Sequence, residues 1–153
     1  YEKGLQVEKQ SDYLKELGAK NIIERKEFEG EAKLLSRGLW DGVVDTVGGN
    51  VLSNAISQTR PNGIVAACGN AGGIKLNTSV MPFIIRGVKL WGIDSVMISK
   101  KRREFIWSQV NDLVDFDSLE KNIKIVSLDE LLNIYSEMLS GNTFGRVLVN
   151  LKK

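Results

Sequence analysis

Short apolar runs that end in glycine recur along this chain and predict buried strands joined by helices. One run lies in WDGVVDTVGGN, residues 40–50, and the next in GIVAACGNAGG, residues 63–73; a third, VKLWGI, follows after an interval of helical length. Strands covered by helices on both faces read as nearly continuous apolar runs, so the Val43-Val44 pair is predicted to be buried on both sides. The alternation predicts an α/β fold with a doubly wound parallel sheet.

Helix and turn signals place the other elements. A helix over Ser11–Leu17 is expected to end at Gly18, and a short helix is predicted over Glu27–Leu35. Asn50 is the predicted cap of a helix over residues 51–58, because its side chain can accept hydrogen bonds from free N–H groups. The remaining predictions are strands at Leu5–Val7, Asn21–Ile23, Trp40–Val47, Ile64–Cys68, Lys89–Ile93 and Arg146–Leu151, helices at Met81–Arg86 and Lys101–Val114, and a turn at Pro61-Asn62-Gly63.

A capping box opens the predicted C-terminal helix. In Ser127-Leu-Asp-Glu130, the serine and the glutamate can each satisfy a backbone N–H group of the other. Apolar residues at helical spacing predict one stripe on this helix, formed by Leu128, Leu131, Leu132, Tyr135, Met138 and Leu139.

Composition and charge argue against several classes of protein. Hydrophobic residues make up 42% of the 153 residues and charged residues 26%, with a net charge of +2. This balance gives no strong field for nucleic acid, and no apolar run is long enough to cross a membrane. The chain begins at Tyr1, in a stretch that reads as a helix end, Gly4 and a strand, so we expect it to be the C-terminal part of a longer protein.

The scarcity of cysteine and histidine limits the possible chemistry. Cys68 is the single cysteine, and there is no histidine. An intrachain disulfide is therefore impossible, which suits the cytoplasm, and no zinc site of the common type can form from this chain alone. Without a neighbouring base the Cys68 thiol is expected to be buried and inert. Asp94 is expected to order a loop rather than to share a metal site with Asp41 and Asp45.

The glycine-rich ends of two predicted strands indicate a ligand site. In open α/β sheets, ligands bind at the carboxyl ends of strands, where small residues allow close approach to the backbone. Val47 and Gly48 end one predicted strand, and Gly69 and Asn70 end the next. The pattern is typical of half of a nucleotide-binding domain.

Four motifs carry a family resemblance: DTVGG (45–49), VAACGNAGG (65–73), MPFIIRGVKLWGIDSV (81–96) and FGRVLV (144–149). They resemble the zinc-independent medium-chain dehydrogenase/reductase superfamily, and within it the quinone oxidoreductase-like branch that includes acrylyl-CoA reductases. The resemblance runs from Tyr1 to the C-terminus. It implies a partial Rossmann domain over residues 1–120, without its first strand and glycine-rich phosphate loop, and a segment over residues 121–153 that returns to an N-terminal catalytic domain.

The resemblance also implies the cofactor and the residues that hold it. Lys9 and Arg25 match basic positions that face the 2′-phosphate of NADPH, whereas Glu8 taken alone favours NAD. Without the family, Lys9 and Arg25 read as exposed surface charge. Nicotinamide-side contacts are implied for Val47, Gly48, Gly69, Asn70, Ile84, Ser95 and Asn142, with Gly141 as the alternative match for the family's asparagine at the last position. Competing structural roles are core for Ile84, a turn for Gly69 and a capping hydroxyl for Ser95.

The implied activity is the NADPH-dependent reduction of an activated alkene or a quinone, a small-molecule substrate. We assign no catalytic residue, since the polarising groups of such an enzyme lie in its other domain, and we expect this chain alone to be inactive. The alternatives are a non-catalytic binding or structural member of the same superfamily and a different Rossmann-like enzyme such as a methyltransferase, which PFIIRGVKLWGIDS disfavours. Pairing of the strand Lys89–Ile93 across a homodimer is also expected, with Trp91 covering apolar surface.

Overall fold

The structure, a computed structural model, describes residues 11–120, 123–140, 142–143 and 145–152. It forms two compact units, one of Ile23–Glu104 and one that contains the described residues of 1–22 and 105–153. In the described part of the chain, no helix is long and apolar enough to span a membrane. The elements are α1 (residues 11–16), a 3-10 helix (Arg25–Phe28), β1 (Trp40–Asp45), α2 (Gly49–Ser57), β2 (Thr59–Ala67), α3 (Met81–Arg86), β3 (Lys89–Gly92), α4 (Lys100–Leu113), α5 (Phe116–Glu120), β4 (Ile123–Ser127), a 3-10 turn (Leu128–Glu130), α6 (Leu131–Leu139) and β5 (Arg146–Asn150).

The unit of residues 23–104 is built on a three-stranded parallel sheet in the order β1-β2-β3. Helix α2 joins β1 to β2, and α3 lies between β2 and β3, as parallel strands require. The core consists of Leu52 and Ile56 from α2, Val65 from β2, and Val88. Ile56 and Val65 are fully buried, and each such side chain stabilises the fold by roughly 1.5–3 kcal/mol. The predicted parallel α/β fold is confirmed.

Arg86 ties the end of α3 to two neighbouring segments. Its Nη1 donates to the carbonyl oxygens of Ser57, at 3.1 Å, and Thr59, at 2.9 Å, and its Nη2 donates to the carbonyl of Ser36. Gly87 follows in the left-handed conformation, with φ 59°, and ends the helix where it was predicted to end. Arg86 therefore fixes α3 against the segment that leads from α2 into β2.

The predicted burial of Val43 and Val44 on both faces of the sheet is wrong. Val43 packs against the core cluster, whereas Val44 is 77% exposed. Successive side chains of a strand point to opposite faces. The core of this unit lies on the Val43 face, so Val44 points away from it.

Three further local predictions are also corrected. Gly48, not Asn50, is the cap residue of α2, and Asn50 lies in the first turn of the helix. The helix predicted over Glu27–Leu35 is reduced to the 3-10 helix Arg25–Phe28, because the carbonyls that follow bind to side chains of α2. The structure has no strand at residues 21–23, and the predicted strand Leu5–Val7 lies outside the described residues.

The predicted turn at residues 61–63 is an irregularity inside a longer strand. The register of β1 and β2 changes from Trp40 opposite Thr59 to Gly42 opposite Ile64. Asn62 has φ 63°, a conformation that asparagine tolerates better than most residues. Strand β2 thus begins before the turn rather than after it.

The other unit contains the parallel pair β4 and β5, with the helix α6 between them in the chain. Strand β5 was predicted, whereas β4 and α5 were not. The capping box is confirmed: Glu130 Oε2 accepts from the Ser127 N–H at 2.7 Å and from its hydroxyl at 2.9 Å. Within the predicted stripe Leu132 and Leu139 are exposed, and the buried residue of α6 is Ile134, which was not counted in the stripe. A two-stranded sheet covers too narrow a surface to bury a whole stripe.

The pKa of Glu130 gives a test of the capping box. The hydrogen bonds from the Ser127 backbone and hydroxyl lower that pKa below its ordinary value of 4.5. Because this pKa is lowered, the ionised carboxylate stabilises the start of the helix at pH values above 4.5. This stabilisation is lost as the pH falls through the lowered pKa. We expect the Cα chemical shifts of α6 to move toward coil values on acidification, and Glu130→Gln to remove this pH dependence. Asp129→Asn, in the same turn, should retain it; an unchanged response in Glu130→Gln would contradict the assignment.

Candidate functional site

A buried carboxylate shapes the turn at the end of β1. Asp45 is 4% exposed, and its side chain accepts from the N–H of Gly48 at 2.9 Å and from the N–H of Val47 at 3.3 Å. These bonds turn the chain from β1 into α2. The amino end of α2 therefore lies at the carboxyl end of β1.

The turn after β2 packs directly on the turn after β1. Gly72 donates its N–H to the Val47 carbonyl at 2.7 Å, and Gly48 and Gly73 form a parallel bridge. A Cβ on Gly48, whose φ is 69°, would collide with the Gly73 carbonyl. A Cβ on Gly69 would lie 2.5 Å from the Thr46 carbonyl oxygen. Glycine is required at both positions because backbone meets backbone there.

The two turns form one side of a pocket of about 370 Å³. Its charged lining residues are Arg25, Glu29 and Lys75, and Arg25 Nε lies 3.3 Å from Glu29 Oε1 in an exposed ion pair. Two cationic side chains against one carboxylate, together with the positive end of the α2 dipole, favour an anionic or strongly polar ligand. Gly49 and Gly73 also line the pocket, so peptide groups form part of its wall.

The structure brings five of the predicted site residues together. Arg25, Val47 and Gly48 line the pocket. Gly69 and Asn70 belong to the adjoining turn, where the Asn70 carbonyl accepts from the Gly73 N–H at 3.0 Å. Their proposed contacts with a cofactor stay predictions.

Two further predicted residues of this unit, Ile84 and Ser95, are not among the residues that line the pocket. Ile84 is 74% exposed on α3, so it is not a core residue, and the carbonyl of Ser95 accepts from Arg103 Nη2 at 2.8 Å. Asn142 belongs to the other unit and donates its N–H to the Glu137 carbonyl at 2.8 Å. Lys9 lies outside the described residues.

Cys68 and Asp94 have different outcomes. The prediction of a buried thiol is wrong: Cys68 is exposed, because it directly follows the carboxyl end of the central strand β2, beyond the part of the sheet that the helices cover. Its Sγ donates to the Asp45 carbonyl at 3.2 Å. Asp94 orders its loop as predicted, since Oδ1 accepts from the N–H groups of Met97 and Val96, both at 2.9 Å, which lower the pKa of its carboxyl group.

Sequence reasoning missed three contributors to the site. Glu29 and Lys75 line the pocket, and Asp45 holds the turn, although it had been considered only as a metal ligand. The spacing of Asp45 and Gly48 was the available signal, because an aspartate often accepts a hydrogen bond two or three residues further along. Nothing in the local sequence marks Glu29 or Lys75.

A parallel α/β sheet with glycine turns and a pocket at the carboxyl ends of its strands defines a nucleotide-binding domain of Rossmann type. The chain matches the family described as zinc-binding dehydrogenase over residues 6–113, and it belongs to that family. In the part of the chain that the structure describes, no three His, Cys, Asp or Glu side chains come together as a metal site.

Individual relatives agree with this assignment and confirm the resemblance drawn from the motifs. The chain is 41% identical over 138 residues to the probable acrylyl-CoA reductase AcuI of Escherichia coli, covering 90% of this chain and 42% of that protein. The yhdH oxidoreductase of Salmonella enterica in complex with NADP has a TM-score of 0.87 at 39% identity, and yhfP of Bacillus subtilis with NAD bound has 0.84 at 38%. The alignments cover 95% and 94% of this chain but 44% of each relative, so the chain spans less than half of their length.

The glycine packing predicts a contrast between two alanine variants. Gly69→Ala places a methyl group against the Thr46 carbonyl and should lower the free energy of unfolding by about 1–3 kcal/mol. Gly42→Ala, in β1, is the control, because no atom lies within 4 Å of the new Cβ; its change should stay within about 0.5 kcal/mol. Urea unfolding measures both values. Equal destabilisation by the two substitutions would contradict the close packing of the turns.

Proposed function

We propose that this chain is the cofactor-binding C-terminal part of an NADPH-dependent oxidoreductase that reduces an activated alkene or a quinone, as acrylyl-CoA reductases do. The observation that carries the proposal is the polar pocket at the paired glycine turns after β1 and β2, lined by Arg25 and Lys75 as well as Glu29. The relatives named as acrylyl-CoA reductase and quinone oxidoreductase support the reaction class, at 41% and 38% identity.

The residues of the pocket fit a dinucleotide. Gly48 and Gly69 let the two turns pack backbone against backbone, so peptide groups form one wall of the pocket, against which ribose or nicotinamide can lie. When bound, NADPH supplies a hydride from C4 of its nicotinamide to the substrate. Contacts of Val47, Asn70, Ile84, Ser95 and Asn142 with the nicotinamide side of the cofactor are assigned on the basis of the family resemblance alone.

The preference for NADPH over NAD rests on charge. Arg25 lines the pocket with a side chain that is 56% exposed, so its guanidinium is accessible to a phosphate. Guanidinium groups bind phosphate oxygens through charge-assisted hydrogen bonds. Lys9 is assigned the same role from the resemblance. One relative has NADP bound and another NAD, which supports a pocket of this kind accepting both.

The free edge of β1 supports the idea that the chain works within a larger protein. In the described residues β1 pairs with β2 alone, and Asp45 directs its carbonyl toward the Cys68 N–H on that side. Neighbouring residues of a strand direct their N–H and C=O groups to opposite sides, so those of Val44 face the free edge. An apolar pocket of about 310 Å³ beside β1, lined by Phe28, Trp40 and Val43 among others, would be covered by a further strand and helix.

The expected reaction is NADPH-dependent reduction of an acrylyl-CoA-like thioester or a quinone by the protein as it is made in its host. NADPH absorbance measures the rate. The 153-residue chain alone should show no turnover, because the groups that polarise the substrate are assigned to another domain. Turnover by the chain alone would contradict this division. Binding of NADPH by the host-made protein without any reduction would favour the alternative, a non-catalytic member of the superfamily.

We also propose a cytoplasmic homodimer paired through the edge of β3, with no nucleic-acid or membrane partner. Trp91 is 57% exposed on this strand, and in the described sheet β3 pairs with β2 alone. Trp91→Lys should dissociate the dimer, since a charged residue on an edge strand opposes strand pairing. Trp107→Lys, at the exposed Trp107 of α4, should leave it intact. Sedimentation velocity measures both; a Trp91→Lys protein with unchanged mass would contradict this interface.

A further inference from the structure

Asn54 is a buried side chain that binds a distant segment of the chain. It is 8% exposed, and its Nδ2 donates to the carbonyl oxygens of Gly30 at 2.8 Å, Phe28 at 3.0 Å and Asn50 at 3.0 Å. An amide nitrogen carries two hydrogens, so three acceptors crowd around it. Two of these acceptors lie 24 and 26 residues earlier in the chain.

Asn50, one turn earlier on α2, binds the carbonyl between those two. Its Nδ2 donates to the Glu29 carbonyl at 2.9 Å. The carbonyls of Phe28, Glu29 and Gly30 are therefore all held by two amides spaced four residues apart, which lie on one face of the helix. These contacts attach the end of the 3-10 helix Arg25–Phe28 to α2.

The attached segment carries the ion pair at the mouth of the pocket. Arg25 opens the 3-10 helix, and its Nη2 lies 3.3 Å from the position that a Cβ on Gly72 would occupy. Glu29 Oε1 lies 3.3 Å from Arg25 Nε and restrains the same guanidinium. An arginine on a mobile loop loses conformational entropy when it binds a phosphate. Attachment of the segment to α2 restricts its backbone beforehand, so less entropy is lost on binding.

We propose that Asn54 is a positioning residue for recognition of the cofactor's 2′-phosphate. With Asn50 it holds the segment Arg25–Gly30 on α2, so that the Arg25 guanidinium lies at the pocket beside Gly72. This inference rests on the proposed function, in which Arg25 faces that phosphate. It assigns selectivity for NADPH to a residue that touches no part of the cofactor.

Two nucleotide probes separate positioning from general stability: 2′,5′-ADP, which carries the 2′-phosphate, and 5′-AMP, which lacks it. Calorimetry on the protein as it is made in its host gives the ratio of their affinities. Arg25→Leu should reduce the preference for 2′,5′-ADP roughly tenfold or more, the loss of a charge-assisted bond. Asn54→Ala should reduce it by roughly three- to tenfold without removing any contact to the probe.

The control is Thr59→Val, which removes another buried hydrogen bond at the far end of α2, from Thr59 Oγ1 to the Ala55 carbonyl at 2.8 Å. It should lower stability and leave the preference unchanged. If Asn54→Ala weakens both probes equally, the residue is merely structural and the proposal is wrong. If Arg25→Leu leaves the preference unchanged, the assigned role of Arg25 fails and the positioning role with it.

A second variant and a second readout cover the case in which Asn54→Ala does not fold. Asn50→Ala removes one exposed hydrogen bond, to the Glu29 carbonyl, and should lower the preference in the same direction; because Asn50 also lines the pocket, the cleavage readout decides the test for this variant. Trypsin cleavage after Lys26 should become faster in either variant, because the segment is released from α2. Unchanged cleavage would contradict the attachment, and faster cleavage with an unchanged preference would contradict the positioning role.

Discussion

The close contact between the turns after β1 and β2 is the constraint on which the site depends. Backbone meets backbone there, through the Gly72 N–H and the Val47 carbonyl at 2.7 Å and the bridge from Gly48 to Gly73. The Asp45 carboxylate holds the first turn from inside. Because side chains are excluded from this contact, the pocket is bounded by peptide groups and by the amino end of α2, and the charged residues lie around its rim.

Helix α2 connects this contact to the rest of its unit. Its apolar face, with Leu52 and Ile56, packs on the sheet, while Asn50 and Asn54 hold the segment that carries Arg25. Arg86 fixes the end of the same helix by binding the Ser57 carbonyl. The position of α2 therefore determines both the shape of the pocket and the position of the Arg25 guanidinium beside it.

Sequence reasoning succeeded where the cause is local. Helix α3 ends at Arg86 as predicted, the capping box at Ser127 starts the following 3-10 turn and α6, and the glycine-rich strand ends contain the turns of the pocket. It failed where contacts with residues distant in the sequence determine the local structure. Glu27–Leu35 does not form a helix, since Asn54 takes the carbonyls of Phe28 and Gly30 from 26 and 24 residues away.

The same distinction explains the errors in burial and in capping. Val44 in β1 and Leu132 in α6 are apolar residues at the expected spacing, yet both are exposed. The spacing of apolar residues along an element does not show whether another element packs on that face. Asn50 has the right chemistry for a cap, but the Asp45 carboxylate already binds the turn, and Asn50 lies one residue inside the helix. Glu29 and Lys75 reach the pocket through tertiary structure alone.

The most direct measurement is a titration of the isotopically labelled protein with NADPH, followed by the amide chemical shifts. The account predicts that the largest changes fall on Gly48, Gly49, Gly72 and Gly73, together with the side-chain N–H signal of Arg25. Changes concentrated in other parts of the chain, with these glycines unmoved, would contradict the assignment of the pocket as the cofactor site.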